Sequence, residues 1–276
     1  MFIGAILINN ILFFLLVFAA GFFLFCYIQF LFRRRQLDLE NQNRELHDFN
    51  AAKDKFISII AHDLKTPAAN IESLLRTLKE KFDELDENEK KICIEMLVES
   101  AKTHNDMLNT LLDLSRLRLG SKQFNPERLE ARKLAAEVLE QTKLQAQQKQ
   151  INQTNQANEC FIKADKIMIT TVIRNLVVNA IKFTNPGGNI IIRSEKKDSE
   201  VLISVTDTGI GIVDSKKDRI FGVDNTKSTT GTANETGTGL GLLLCKEYVE
   251  RSGGEIWLES ESGKGTTFFF TLPVFT

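Results

Sequence analysis

The sequence predicts one transmembrane helix, an all-α helical hairpin that closes into a four-helix bundle only as a dimer, and a C-terminal α/β domain. Three observations carry this reading. Residues 1–32 contain no Asp, Glu, Lys, Arg or His. Apolar residues recur at helical spacing from Leu39 to Leu78 and again from Leu97 to Leu111. Beyond Gly120, helical segments and alternating strand-like segments follow one another, the pattern of a mixed α/β domain. The chain has 276 residues, with 35 Lys+Arg against 36 Asp+Glu and a net charge of −1. That near-neutral balance excludes a nucleic-acid binder acting through bulk electrostatics.

The first part is an anchor, residues 1–32. Ile11–Ile28 runs ILFFLLVFAAGFFLFCYI, with the Tyr27 hydroxyl as its main polar group. Roughly 20 apolar residues at ~1.5 Å each cross the ~30 Å hydrocarbon core. Arg33, Arg34 and Arg35 follow directly and place the C-terminal side in the cytoplasm. A cleaved signal peptide would carry a basic start and a shorter apolar run, and a buried core helix would need an apolar surround on every side. The expected location is therefore the inner or plasma membrane, single-pass, with the bulk of the chain cytoplasmic. The few residues before the apolar run are too short for an extracytoplasmic domain. Cys26, Cys93, Cys160 and Cys245 are scattered without a C-x-x-C pair, so neither a zinc site nor a disulfide framework is expected.

Residues 33–55 read as a coiled-coil-like signalling helix running into a second part, 56–120. With His62 at zero on a helical wheel, Leu39, Leu46, Phe49, Phe56, Ile57, Ile60, Leu64, Ile71, Leu74, Leu75 and Leu78 fall between roughly 120° and 220°. His62 thus points away from the apolar stripe, beside Asp63 and about 40° from Thr66. A core role for this histidine fails on that geometry. Pro67 is expected to bend the helix. After a polar turn near Asp83–Asn88, a second helix repeats Leu97, Ala101, His104, Leu108, Leu111 and Ser115 at coiled-coil spacing. His104 falls on that seam and reads as a packing residue. Two such helices cannot enclose a core alone, whereas two copies can.

Leu119-Gly120-Ser121 and Asn125-Pro126 mark the boundary of the third part, 121–276. Leu129–Gln150 reads as a helix, Asn152–Ala164 as a hairpin or edge strand, and Asp165 as the cap of a helix ending near Phe183. On that last helix Asn175, Asn179 and Lys182 share one polar face. Val201–Val205 alternates as a strand and leads into DTGIGI, with Asp207, Gly209 and Gly211. A carboxylate at a strand end can accept from an amino group while the bare glycines let a flat ligand approach. TGTGLGLLLCK follows, with Gly237, Gly239 and Gly241 before an apolar helix, an arrangement that offers amide N–H groups to an anion. No P-loop occurs, because SGKGT at 262–266 has Leu258 where the first glycine belongs.

The stretch FISIIAHDLKTPAANI, Phe56–Ile71, resembles the phosphoacceptor box of the sensor histidine kinases. The ordered motifs NLVVNAIKFT, DTGIGI and GTGLGL resemble their ATP-binding domain, a GHKL/Bergerat-type α/β sandwich. The resemblance spans about residues 45–275. It implies that His62 takes the phosphoryl group, that Asp63 orients and activates its imidazole, and that Thr66 positions water for phosphatase chemistry. It also implies that ATP and Mg²⁺ are bound: Asn175 on Mg²⁺, Asn179 and Lys182 facing the phosphates, Asp207 accepting from the adenine amino group and Phe183 placed to stack on the base. Gly209 and Gly211 would line the base and the lid hinge, and Gly237, Gly239 and Gly241 the phosphates. One departure stands out. Relatives commonly carry a proline and a second aromatic after the first Phe of this region, but Val223 and Asp224 follow Phe221-Gly222. Lys227, on the polar loop, is a candidate for the γ-phosphate.

The expectation is a homodimeric protein-histidine kinase that passes its phosphoryl group to the receiver domain of a separate response regulator. No acidic receiver segment lies within the sequence to serve as an internal acceptor. The rival readings are a GHKL-type ATPase and a phosphatase-biased dimeric regulator, both lacking kinase output.

Overall fold

The computed structural model describes all residues except Met1, 119–123, Asp218, 223–229, Asn234, 236–238 and Thr276. In the first helix the side chains of residues 2–20, 22–26, 28, 37–38, 41, 45, 48–49, 51–56, 59 and 62–63 also lie outside the described set. The chain divides into two compact units, Met1–Ile57 and Ser58–Thr276.

Helix α1 covers Phe2–Lys81, and Pro67 lies inside it without ending it. Most side chains of the expected anchor fall outside the described residues. Among the described residues no helix is long and apolar enough to cross a membrane. Tyr27, Phe30, Leu31 and Phe32 are nevertheless exposed. The expected apolar stripe holds in the second unit, where Ile60, Leu64, Pro67, Ile71, Leu74 and Leu78 are less exposed than their neighbours. Ile57 and Leu75 depart from it and stand in solvent.

The turn after α1 closes on the Lys81 carbonyl, which accepts from the Glu84 and Leu85 amides at 3.0 Å. Helix α2, Glu87–Arg118, then starts from a reciprocal cap. The Glu89 amide donates to Asp86 Oδ1 at 2.7 Å and the Asp86 amide to Glu89 Oε2 at 2.9 Å, which satisfies two of the free donors of a helix start. The seam of α2 differs from the expected one by a residue at alternate positions. Leu97, His104 and Leu111 turn inward as expected, but Ser100, Met107 and Leu114 accompany them, while Ala101, Leu108 and Ser115 are exposed. The inward seam is fixed by the close fit of Met107 and Leu114, 2% and 3% exposed. Ile92, Met96, Leu108 and Leu112 remain as large apolar side chains in solvent.

The remainder builds a two-layer α/β sandwich. Its elements are β1 (Glu127–Glu130), α3 (Ala131–Gln148), β2 (Asn152–Ala157), β3 (Phe161–Ala164), α4 (Lys166–Phe183), β4 (Asn189–Lys197), β5 (Glu200–Asp207), α5 (Asp214–Lys217), α6 (Gly241–Arg251), β6 (Ile256–Glu261) and β7 (Gly265–Pro273). The main sheet has strand order β2-β4-β5-β7-β6, and β1 pairs with β3 in a separate ribbon. Only the β2–β4 pair is parallel in the main sheet. One sheet face meets α3, α4 and α6. Ile190, Ile192, Ile203, Phe270 and Leu272 from the strands bury against Val172, Ile173, Leu176, Tyr248 and Val249, each large apolar side chain contributing roughly 1.5–3 kcal/mol.

One local expectation is corrected and another holds in one of its two forms. The helix expected from Leu129 starts only at Ala131, because Leu129 and Glu130 end strand β1, where Leu129 pairs with Ile162 across the β1–β3 ribbon and is buried. Residues 152–164, expected to hold a hairpin or an edge strand, hold two strands of different sheets, the edge-strand form of that expectation. The corner between them is pinned to β4, where Asn158 Nδ2 donates to the Ser194 carbonyl at 2.9 Å and Ser194 Oγ to the Asn158 carbonyl at 3.1 Å. β2 is an edge strand, which explains its polar sequence.

Candidate nucleotide site

Helix α4 supplies the first wall. Asp165 caps it as expected, Oδ1 accepting from the Ile167 and Met168 amides at 2.9 and 3.1 Å. The same carboxylate takes the Asn125 amide through Oδ2 at 3.2 Å. With Val172, Ile173, Leu176, Val177 and Ala180 in the core, Asn175 and Asn179 are left half-buried on the opposite side. Lys182 is buried at 9% exposure, and its Nζ lies 4.8 Å from the centre of the Phe183 ring. Burial lowers the Lys182 pKa; the Glu235 charge opposes that shift and the Lys149 charge adds to it.

Helix α6 brings the glycine motif to this wall. Its first residue, Gly241, lies against Asn175, so that a Cβ there would stand 3.5 Å from Asn175 Oδ1. The Cys245 thiol below is fully buried. Burial pushes its pKa up to about 12 although Asn175 hydrogen-bonds to it, so it is an inert packing group. Gly239 has φ +67°, a left-handed conformation natural to glycine. Gly237 and Lys227 lie outside the described residues, as do Val223 and Asp224.

The other end of the site is built around Asp207, the last residue of β5. Its carboxylate is 6% exposed, and Oδ1 accepts from the Gly209 amide at 2.8 Å and the Thr266 amide at 3.2 Å. Burial raises its pKa to about 6 against both hydrogen bonds. Gly209 passes so close to the Phe183 carbonyl that a Cβ would collide with it. The Ile210 amide donates to that same carbonyl at 3.1 Å. Gly211, at φ +67°, lies against the Glu261 carbonyl. Phe183, Asp207 and Gly209 therefore form one cluster where α4, β5 and the following loop meet.

His62 and Asp63 lie within helix α1, and their side chains are outside the described residues. Thr66 is exposed one turn further on. The second helix touches the sandwich through Tyr248 Oη, which donates to Asp113 Oδ2 at 2.9 Å. Among the described residues no group of three or more His, Cys, Asp or Glu is placed to hold a metal ion. Asn175 offers an amide oxygen at this site, beside the start of α6.

Sequence reasoning missed two participants. Thr266 helps fix Asp207 through its backbone amide, whereas its sequence context, SGKGT, signals only the lack of a P-loop. Lys149 sits at the end of α3 with its Nζ on Glu235 at 2.5 Å. Nothing in the local sequence pairs residues so far apart.

An α/β sandwich of this topology, with a buried carboxylate at one end and Gly239 and Gly241 at the start of a helix at the other, defines a class. Residues 164–276 match the histidine kinase-, DNA gyrase B- and HSP90-like ATPase family. Residues 52–120 match the His Kinase A phospho-acceptor domain. The chain belongs to the two-component sensor histidine kinases. It is 31% identical over 230 residues to the circadian input-output histidine kinase CikA of Synechococcus elongatus, covering 81% of this chain and 30% of that protein. It is 30% identical over 232 residues to the sensor protein SrrB of Staphylococcus aureus, covering 82% of this chain and 39% of that one. The chain thus spans well under half the length of these curated relatives. Among solved structures, Acinetobacter baumannii histidine kinase AdeS shares the fold with a TM-score of 0.63 at 20% identity, over 78% of this chain and 98% of that one. Histidine kinase ThkA, solved in complex with response regulator protein TrrA, aligns with a TM-score of 0.60 at 26% identity, over 79% of this chain and 61% of that one.

Proposed function

We propose that this chain is a membrane-anchored, homodimeric protein-histidine kinase. It transfers the γ-phosphoryl group of ATP to His62 and then to an aspartate on a separate response regulator. The observation that carries the reading is the joint presence, in one chain, of a phospho-acceptor helix and an ATPase site with Asp207 buried and hydrogen-bonded beside Gly209.

The buried Asp207 carboxylate accepts from the adenine amino group, and Gly209 and Gly211 leave room for the flat base. Phe183 lies against the same loop and packs on the base. Asn179 and Lys182 meet the phosphates, with the amides of the glycine turn (Gly237, Gly239 and Gly241) around them. Mg²⁺, held through Asn175 and phosphate oxygens, would neutralise phosphate charge during transfer. An imidazole nitrogen of His62 forms the new P–N bond as the bond to the leaving oxygen breaks, and ADP departs with that electron pair. Asp63 holds the other ring N–H, fixing the tautomer. Thr66 orients water when the phosphorylated regulator is hydrolysed.

Two further readings rest on exposed apolar surface. Ile92, Met96, Leu108 and Leu112 on α2 and Leu75 on α1 are solvent-facing in one chain, and a second copy completing a four-helix bundle would cover such a surface. Tyr27, Phe30 and Phe32 are exposed just before Arg33–Arg35, which suits a lipid boundary with the catalytic part in the cytoplasm. The solved complex of ThkA with its response regulator supports a receiver domain as the partner.

The test is the chemical stability of the phosphoprotein formed by the full chain with ATP and Mg²⁺. Phosphate lost in acid and retained in alkali supports phosphohistidine. Release of free phosphate from ATP with no protein-bound label would contradict the kinase and favour an ATPase.

A further inference from the structure

The Lys149 side chain, at the end of α3, is only 9% exposed, and its ammonium holds three acceptors from distant parts of the chain. It donates to the Ile181 and Lys182 carbonyls at 2.8 Å each and to Glu235 Oε1 at 2.5 Å. The two carbonyls belong to the last turn of α4, where helix carbonyls lack intrahelical partners. The negative end of the helix dipole lies there as well and disfavours a carboxylate. Glu235 is nevertheless brought to that end, and Lys149 stands between it and the carbonyls. Burial works to raise the Glu235 pKa, but the Lys149 and Ala233 hydrogen bonds outweigh it and hold the group below the usual carboxylate range.

Glu235 in turn organises its neighbours. Its Oε2 accepts from the Ala233 amide at 2.8 Å, and its carbonyl accepts from the Gly231 amide at 2.9 Å. Thr232 then reaches the helix end directly. Its amide donates to the Lys182 carbonyl at 3.0 Å, and its Oγ1 lies 3.2 Å from the Lys182 carbonyl and 3.0 Å from that of Thr184. Gly231 is so close that a Cβ would collide with the Lys182 side chain and carbonyl. Residues 231–233 and Glu235 therefore lock onto the backbone of Lys182, a few residues before the turn at Gly239 and Gly241.

We infer that Lys149 is a positioning residue for the phosphate end of the nucleotide site, its ammonium docking residues 231–233 and Glu235 onto the turn of α4 that carries Lys182. The inference rests on the reading of this site as an ATP site. It separates the two ends of that site: Asp207 is held by Gly209 and Thr266, neither of which touches Lys149. Loss of the ammonium should therefore weaken recognition of phosphates and leave recognition of the base.

The experiment compares the full-length chain with its Lys149→Met and Glu235→Gln variants. ATP affinity is read by calorimetry, adenosine affinity by saturation-transfer NMR, and folding by thermal unfolding. Lys149→Met is expected to bind ATP about tenfold more weakly with adenosine affinity unchanged. Glu235→Gln, which keeps an acceptor for Lys149, is expected to lose less. Unchanged ATP affinity in Lys149→Met would overturn the inference, as would equal loss of ATP and adenosine, the signature of a merely structural role. If Lys149→Met fails to fold, Glu235→Gln decides by the same comparison. A wild-type chain that binds neither ligand would instead overturn the ATP reading itself.

Discussion

Replacing Asp207 by Asn should stabilise the domain while removing nucleotide binding. The carboxylate is 6% exposed, and its pKa rises from 3.8 to about 6 because burial disfavours the charged form. A pKa higher in the folded chain than in the unfolded one means that proton uptake accompanies folding between about pH 4 and 6. The associated stability is fully present below about pH 4 and is lost as pH rises through about 6. At about 1.4 kcal/mol per pKa unit, ionised Asp207 lowers stability at pH 8 by about 3 kcal/mol. The Asn Oδ1 keeps the two N–H bonds from Gly209 and Thr266, but its NH₂ group enters a buried place, which returns about 1 kcal/mol of the gain. The net expectation of about 2 kcal/mol corresponds to roughly 4–8 °C in the melting temperature of this domain. Thermal unfolding of wild type and Asp207→Asn across pH 4–8 measures it directly. The advantage of the variant should be absent near pH 4 and complete by pH 7. A pH-independent difference, or a less stable variant at pH 8, would refute the reasoning.

Three other outcomes are expected. ATP affinity should fall as pH drops through about 6, approaching tenfold per unit as Asp207 takes up its proton; a flat calorimetric profile from pH 7 to 5 would speak against Asp207 as the adenine acceptor. Gly209→Ala should lower stability by about 2 kcal/mol, since the new Cβ meets the fixed Phe183 carbonyl, and denaturant unfolding would show it. Asp165→Ala should cost about 1–2 kcal/mol through loss of the α4 cap, with ATP affinity changed far less than stability.

Much of the nucleotide domain was legible in the sequence because its features are local. Asp165 announces a helix by standing just ahead of an apolar repeat, and the structure finds its side chain on the Ile167 and Met168 amides. Asn175, Asn179 and Lys182 share a face by spacing alone. The last glycine of the motif, Gly241, lies against Asn175 through the packing of α6 on α4. What escaped was decided by tertiary pairing. Leu129 and Glu130 continue the helical pattern of the residues that follow, yet burial of Leu129 in the β1–β3 ribbon makes them extended. The α2 seam shifted because apolar residues occur on several faces of that helix, so the pattern admits more than one stripe. Lys149 and Glu235 are 86 positions apart, and each on its own looks like a solvated charge.

The most direct test of the central claim is transfer of labelled γ-phosphate from ATP to the full-length chain, with wild type beside His62→Gln. The account predicts an acid-labile, alkali-stable label on the wild type and none on the variant, while both bind ATP equally. Label of the same chemistry persisting on His62→Gln would contradict the assignment of the acceptor, and absence of label from a wild-type chain that binds ATP would contradict the kinase itself.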